Sequence, residues 1–255
     1  MSGALRVASY NIHACRGTDG RQDLDRVADV LRELDADVVG LQEVESRRRR
    51  SAIDQAEALA ARLGMHCVEG PLLLEERGWY GNALLSRWPT QRTRRMIFEA
   101  YRREARGAVI SELAPDGHVT WRIANTHLDL RSGLRRRQFA TLLRELTMER
   151  TTPTVLLGDF NEWWRYSRGL AALRRHMHLP ATPPTFPSWL PVLRLDRIAF
   201  LGCHPVGPVR RHWTPLSRRA SDHLPVWAEV APVGSHRGPH HPGRVHEEAA
   251  AHRTR

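Results

Sequence analysis

Several short apolar segments of this chain end in a side chain that can bind a metal ion or transfer a proton. Three of them follow the period-two pattern that places alternate side chains on one face of a strand. Because the ends of neighbouring strands can meet in a single cleft, we expect distant segments to build one site. The three series are Val7-Ser9-Asn11, Val39-Leu41-Glu43 and Ile123-Asn125-His127.

Further polar residues flank apolar segments later in the chain. Each has a structural alternative, such as a turn residue, a strand-end carboxylate or an ion pair, so only the ordered set indicates a site. Asp159 and Asn161 are separated by one residue, and Asp196 lies beside Arg197 inside an apolar strand. These residues are Asp159, Asn161, Asp196, Asp222 and His223.

Hydrophobic periodicity predicts alternating strands and helices from residue 5 to about residue 230. The Asp116-Gly117 turn predicts a hairpin, and hairpins combined with flanking helices are typical of an α/β sandwich rather than one doubly wound sheet. The predicted helices are 22–35, 53–63, 138–148 and 170–176. The predicted strands are 5–10, 37–44, 82–86, 92–98, 107–113, 119–127, 154–157, 194–200 and 224–230.

The formal net charge is +11, carried by 39 arginines without a lysine. Arginine-rich codon usage explains the missing lysine, while the excess charge favours a polyanion, either nucleic acid or an anionic lipid surface. Three cysteines exclude a disulfide framework and a four-cysteine zinc site. With no transmembrane run or secretory signal, we expect a cytoplasmic monomer. Residues 1–231 are predicted to form one domain, followed by a disordered tail rich in His and Arg at 232–255.

Seven short motifs of the chain resemble those of the endonuclease/exonuclease/phosphatase superfamily, in the same order and over roughly residues 5–230. Within this superfamily the chain resembles small bacterial members related to sphingomyelinase-like phosphodiesterases. The resemblance implies a deoxyribonuclease I-like fold, a four-layered α/β sandwich of two packed mixed sheets flanked by helices. The motifs are Ser9-Tyr10-Asn11-Ile12-His13, Leu41-Gln42-Glu43-Val44, Gly81-Asn82-Ala83-Leu84-Leu85-Ser86, Asn125-Thr126-His127-Leu128, Gly158-Asp159-Phe160-Asn161, Leu195-Asp196-Arg197-Ile198 and Ser221-Asp222-His223-Leu224-Pro225.

The resemblance also implies hydrolysis of phosphoester bonds, most simply phosphodiesters, with a divalent metal. Mg²⁺ is the expected ion and Mn²⁺ the alternative, because hard cations prefer oxygen ligands and neutralise phosphate. By resemblance, Glu43 is the main metal ligand, Asn11 supports the same site, and Asp222 supplies a further ligand.

The resemblance assigns the activation of water to a histidine and a carboxylate. His223 would be the general base, and Asp196 would orient its imidazole and stabilise its charge. Asp159 and Asn161 would position the water and the phosphoryl oxygens, and Asp159 is open as the base instead.

Substrate contacts are expected from His127 and Arg106. His127 would donate to a phosphate oxygen or to the leaving group. Arg106 is either a bidentate phosphate ligand or a surface charge. Repair nucleases typically carry an acid where this chain has His13 and no histidine at the place of His127, which argues against an abasic-site endonuclease. The substrate is nucleic acid or a phospholipid-like or small phosphodiester, and the alternative function is a non-catalytic nucleic-acid or membrane-surface binder on the same fold.

Two further segments near these motifs have open interpretations. Trp163 and Trp164 could stack on a base or lie at a lipid interface, and we favour packing in the core beneath the sheet. The run Arg135–Arg137 is expected to open a helix, where it either holds a polyanion or, as is more usual, forms a solvated group of charges.

Overall fold

The computed structural model describes residues 4–47, 53–99 and 106–233. Within these ranges the strands are Leu5–Asn11 (β1), Val38–Glu45 (β2), His66–Glu75 (β3), Gly78–Ser86 (β4), Arg92–Ile97 (β5), Gly107–Leu113 (β6), Trp121–His127 (β7), Thr154–Asp159 (β8), Asp196–Leu201 (β9), Cys203–Pro205 (β10), Arg210–Arg211 (β11) and Val226–Pro232 (β12). The helices are Leu24–Leu34 (α1), Gln55–Leu63 (α2), Ser132–Thr147 (α3), Arg168–Arg174 (α4) and Ser217–Ala220 (α5).

The strands form two mixed sheets. The first has the order β10-β12-β1-β2-β4-β3, with β11 beside β12, and the second has the order β5-β6-β7-β8-β9. In each sheet one pair is parallel, β1 with β2 and β7 with β8. The predicted hairpin is present, since β6 and β7 pair antiparallel around Gly117, whose φ of 73° suits the turn.

Three apolar clusters define four layers. One lies between the sheets and includes Val7, Ile123 and Ile198. A second packs α1 and α2 against the outer face of the first sheet, and a third packs α3 and α4 against the outer face of the second sheet. This α/β/β/α arrangement confirms the predicted fold class.

Most differences from the sequence prediction have local causes. β3 was missed because Gly70 and Pro71 interrupt its pattern, and it lies at the edge of its sheet, where proline is tolerated. α3 begins at Ser132 rather than residue 138, since the arginines in its first turns hide the helical period. The last strand ends at Pro232, and the remaining part of the predicted tail lies outside the described residues. Across the described ranges, no helix has the length and apolarity needed to cross a bilayer.

The N-terminus of α2 holds two loops beside the ends of β1 and β2. Asp54 caps the helix by accepting from the backbone N–H groups of Ala56 and Glu57, and it also accepts from the hydroxyl of Ser46. Gln55 accepts from the backbone N–H of Glu45 and donates to the backbone oxygen of Ala14, each at 2.9 Å. The helix start therefore fixes the segments that directly follow Glu43 and Asn11.

We predict that Asp54→Ala lowers the free energy of unfolding by about 1–2 kcal/mol, because the helix loses its N-terminal cap. Urea denaturation of the purified protein measures this. The control is Glu57→Gln, an exposed change on the same turn, which should stay within about 0.5 kcal/mol of wild type. Equal effects of the two changes would contradict the capping role.

Candidate active site

The side-chain amide of Asn11 joins the two sheets at one end of the sandwich. Its Nδ2 donates to Glu43 Oε1 at 3.0 Å and to Asp159 Oδ2 at 3.1 Å. Asn11 and Glu43 belong to the first sheet and Asp159 to the second. Its Oδ1 accepts from the backbone N–H of His13 at 3.1 Å, which fixes the orientation of the amide. The predicted convergence of strand ends is therefore present, and the amide nitrogen lies between the two carboxylates.

Glu43 reaches this position through a bulge, contrary to the predicted alternation. The pairing of β2 with β4 shifts register between Leu41 and Val44, and Glu43 has a φ of 56°. Val39 and Leu41 face α1 and α2, and regular alternation would send Glu43 the same way. The bulge turns Glu43 toward Asn11 instead, so the expectation that it shares the face of Val39 and Leu41 was wrong.

Left-handed backbone conformations recur at this end of the molecule. His13, Glu43 and Asn161 have φ values of 47°, 56° and 50°, in a region that side chains other than glycine rarely adopt. Such conformations persist only where the surrounding structure enforces them, and they are frequent at functional sites. Here each of the three residues has a hydrogen bond to another residue of the site or to the adjoining loop.

A buried chain of hydrogen bonds orients His223. Its Nδ1 donates to Asp196 Oδ2 at 2.9 Å, and the Thr185 hydroxyl donates to the same oxygen at 2.6 Å. Burial lowers the pKa of His223, but the carboxylates of Asp196 and Asp159 outweigh it and raise that pKa to about 10. The Nε2 atom lies 3.7 Å from Asp159 Oδ2, which is longer than a direct hydrogen bond.

Asp159 is buried between the amides and the imidazoles. Its Oδ1 accepts from the backbone N–H of Asn161 at 2.9 Å. Burial raises the pKa of Asp159 to about 6, against the opposing effect of the neighbouring His223. Ligand atoms of Asp159, Asp196 and His223 lie within 4.8 Å of one another, which makes them a possible metal-binding cluster.

His127 is neutral and accepts a hydrogen bond. Asn161 Nδ2 donates to the backbone oxygen of Leu128 at 2.9 Å and to His127 Nε2 at 3.1 Å. Because the carbonyl can only accept, Nδ2 is the donor in both bonds, and the proton of His127 is on Nδ1. Burial, together with the charges of Arg106 and His223, lowers the pKa of His127 well below its ordinary value.

Arg106 and Asp222 lie on opposite margins of this cluster. Arg106 is buried, with Nε donating to the backbone oxygen of Leu128 at 3.1 Å, so the alternative of a surface charge was wrong. Asp222 is partly exposed, and its Oδ1 lies 3.5 Å from Nδ1 of His13. Ser221 donates to the backbone oxygen of Asn11 at 2.8 Å, which ties the Asp222 segment to the end of β1.

The sequence matches the endonuclease/exonuclease/phosphatase family over residues 8–223, from β1 to the histidine of this cluster. The chain belongs to this family. Members of the endonuclease/exonuclease/phosphatase family are phosphoester hydrolases that depend on a divalent metal, so the chain is an enzyme of this class.

The chain is also similar to a relative in sequence and to solved structures in fold. The chain is 28% identical to the uncharacterized protein YbhP of Escherichia coli strain K12, over 89% of this chain and 96% of the relative. It is similar in structure to an endonuclease/exonuclease/phosphatase from Beutenbergia cavernae, with 24% identity, a TM-score of 0.72, and coverage of 90% of this chain and 72% of that one. The human nocturnin catalytic domain with bound sulfate anion gives 21% identity, a TM-score of 0.70, and coverage of 90% and 94%.

Sequence reasoning missed several residues that hold this endonuclease/exonuclease/phosphatase site together. Thr185 contacts Asp196, and the ring of Phe186 packs against the imidazole of His223 at 4.9 Å. Asn125 donates to the backbone oxygens of Leu41 and Ala83, so a residue quoted only as part of a motif links the two sheets. The motif order could have indicated Asn125, whereas the loop that carries Thr185 has no periodic signal.

The loop after Asn161 also differs from expectation. Trp163 and Trp164 are 52% and 59% exposed, so the preference for core packing was wrong. Arg135 is buried and pairs with Glu162 at 3.0 Å, so it is not one of a group of solvated charges. The buried carboxylate of Glu162 anchors this loop, and the two indole rings that follow it are exposed to solvent.

We predict that Thr185→Val lowers kcat about tenfold, because one buried hydrogen bond to the carboxylate that orients His223 is lost. Steady-state hydrolysis of bis-p-nitrophenyl phosphate measures the effect. Thr185→Ser keeps the hydroxyl and should restore most of the rate. If serine fails as badly as valine, the hydroxyl has no positioning role.

Proposed function

We propose that the enzyme hydrolyses phosphodiester bonds with Mg²⁺, by attack of a water that His223 activates. The observation that carries this proposal is the meeting of the Asn11-bridged carboxylates with the His223–Asp196 pair. Metal-assisted hydrolysis needs carboxylates that can bind a cation and, beside them, an imidazole that can accept a proton. Here Asp196 orients that imidazole by binding its other nitrogen, Nδ1.

The donor set suits a hard cation. Glu43 is half-buried and Asp222 partly exposed, so both offer carboxylate oxygens at the mouth of the cluster. Asn11 presents its amide nitrogen to Glu43, and we therefore assign it the positioning of that carboxylate rather than direct ligation. A bound Mg²⁺ would neutralise a phosphoryl oxygen and offset the charge of the surrounding carboxylates.

The protein groups divide the remaining tasks. His223 accepts the proton of the attacking water at Nε2 in its neutral form, which a bound Mg²⁺ would favour by offsetting the carboxylates that raise the pKa of His223 to about 10. Asp196 stabilises the resulting imidazolium.

Asp159 and the Oδ1 of Asn161 orient the water by accepting its hydrogen bonds, because Asn161 Nδ2 already donates to Leu128 and His127. The buried Arg106 supplies positive charge beside these groups, and His127 holds Asn161 in position, with its own donation to phosphate kept as a prediction.

The net charge of +11 attracts a polyanion whether the protein is an enzyme or a non-catalytic binder. The buried hydrogen bonds of the site favour catalysis. A purely binding protein has no use for a buried His–Asp–Thr chain of hydrogen bonds, since burying charged groups costs stability. The nocturnin domain, a structural relative, holds a sulfate, a tetrahedral anion like phosphate. The cytoplasmic location and the monomeric state remain predictions from the sequence.

We predict that Glu43→Gln reduces Mg²⁺-dependent hydrolysis by about a hundredfold or more, because the amide removes the ligand charge. Hydrolysis of bis-p-nitrophenyl phosphate across a Mg²⁺ titration measures this. The variant should also lose the rise in Tm that Mg²⁺ gives the wild-type protein.

Glu57→Gln is the matched control for Glu43→Gln, because it removes an equivalent charge from the exposed surface of α2 and should leave both readouts unchanged. Normal turnover by Glu43→Gln would refute the assignment of the main ligand. Absence of turnover by the wild type with Mg²⁺, Mn²⁺ and Ca²⁺ would support the binder instead.

We predict that His223→Gln lowers kcat by about 10²–10⁴, the range that general-base catalysis supplies. Glutamine keeps a polar group of similar size but cannot accept the proton. His66→Gln, an exposed change on β3, serves as control. A rate within about twofold of wild type would move the base role to Asp159.

A further inference from the structure

A cavity of about 750 Å³ opens beside the active site, on the helix side of the second sheet. The loop that follows Asn161 forms one wall, α4 contributes Arg174, and residues 179–182 form the opposite wall. This volume is in the range that accommodates a small organic ligand such as a nucleotide. None of the residues assigned to the reaction lines it.

Aromatic rings form one wall of the cavity. Trp163, Trp164 and Tyr166 line it and are more than half exposed. Trp164 and Tyr166 pack edge to face, with centroids 5.7 Å apart and planes at 72°. Large aromatic surfaces exposed inside a cavity are suited to stacking against a planar ring.

The rest of the lining is cationic. It includes four arginines, and none of its described residues is acidic. Arg194 donates to the backbone oxygen of Thr182 at 2.9 Å, which holds one guanidinium at the wall. The arginines are Arg165, Arg174, Arg194 and Arg197.

Arg197 provides a second, independent indication of an anionic ligand. It is 3% exposed, and its Nε is buried without a hydrogen-bond partner in the described part of the chain. The hydroxyl of Thr182, also in the lining, is in the same situation. Burial and the charges of Arg174 and Arg194 lower the pKa of Arg197 to about 10, although Glu162 acts in the opposite direction. An anion in the cavity would satisfy these groups.

The cavity and the reacting groups are connected through adjacent residues. Asp196 and Arg197 are consecutive in β9, and their side chains point to opposite faces of the sheet, as do Ile198 and Ala199. Trp163 lies two residues beyond Asn161. Because Asp196 is the first residue of β9, the reacting groups lie at the end of this strand, and a flexible ligand can pass over that end from one face to the other.

We propose that this cavity binds one nucleotide unit of a single-stranded nucleic acid, with the base stacked on the aromatic wall and the phosphate on Arg194 and Arg197. The inference rests on the proposed phosphodiesterase function and names its substrate class. A neighbouring phosphodiester of the same strand would then lie at His223. Duplex DNA is too stiff to bend sharply over a single β-strand, since its persistence length is about 150 base pairs.

A lipid surface fits this arrangement less well. Membrane-binding aromatics project from a convex face into the headgroup region. Here the rings line a concave cavity, and one of its cations, Arg197, is buried in the lining. A recessed pair of ring and phosphate sites matches a nucleotide, whose base and phosphate are joined by one sugar.

The test is binding of a fluorescently labelled ten-nucleotide single-stranded DNA in EDTA, where no metal-dependent cleavage occurs. Fluorescence anisotropy measures the Kd. We expect Trp164→Leu and Arg194→Gln each to weaken binding about tenfold, the loss that follows removal of one stacked base or one phosphate contact. Matched controls are Trp189→Leu and Arg94→Gln, exposed residues outside the cavity, which should leave Kd within about twofold.

Anionic phosphatidylglycerol vesicles form the comparison arm, measured by co-sedimentation. The proposal holds if the cavity variants weaken oligonucleotide binding and leave vesicle binding unchanged. It is overturned if neither substitution changes the Kd for the oligonucleotide, if the wild type binds no oligonucleotide, or if the substitutions reduce vesicle binding instead. Because these measurements need no turnover, a loss of the Glu43–His223 mechanism would show separately in the hydrolysis assays.

Discussion

The hydrogen bonds from the Asn11 amide to Glu43 and Asp159 are the interaction on which the active site depends. Carboxylates from two sheets repel each other when they are brought together in a poorly hydrated place. The amide nitrogen donates to both, and His223 offsets the charge of Asp159 and Asp196 from the other side. The acidic end of the sandwich is therefore stable enough to remain assembled, yet keeps the negative charge that attracts a cation.

The surrounding fold serves this arrangement through local departures from regular structure. A bulge turns Glu43 away from the helix layer, and a left-handed turn at His13 lets a backbone N–H fix the amide oxygen of Asn11. The start of α2 binds the backbone that follows Glu43 and the backbone that follows His13. Regular strands would present these side chains on opposite faces, so the site exists because the strand ends are irregular.

The sequence predicted which face a site residue occupies where the strand alternates regularly to its last residue. It did not predict the face where a bulge interrupts the alternation. Asn11 and His127 end strands with unbroken alternation, and the pattern located both. The bulge at Glu43 adds one residue to one strand and has no signature in composition, so the predicted face was wrong although the residue was correct. Thr185 and Phe186 act from a loop that folds back over β9, and contacts of this kind depend on tertiary structure alone. The prediction that the two tryptophans pack in the core was wrong for a related reason. Hydrophobicity predicts burial, but the buried Arg135–Glu162 ion pair anchors their loop so that both indole rings are exposed.

Separation of charge within the molecule explains how an acidic centre can serve an anionic substrate. The carboxylates of Asp159, Asp196 and Glu43 repel phosphate by themselves, and four arginines line the cavity on the other face of the second sheet. In β9, Asp196 and Arg197 separate the acidic centre from the cationic cavity, because consecutive side chains of a strand point to opposite faces of the sheet. Asp196 serves the reacting groups on the inner face, and Arg197 lies in a cationic cavity on the outer face. If the cavity binds a nucleotide as proposed, a polyanion long enough to reach both faces would gain binding energy that the acidic centre cannot supply, whereas a small diester would gain none. The alternation of a single strand would then favour extended substrates.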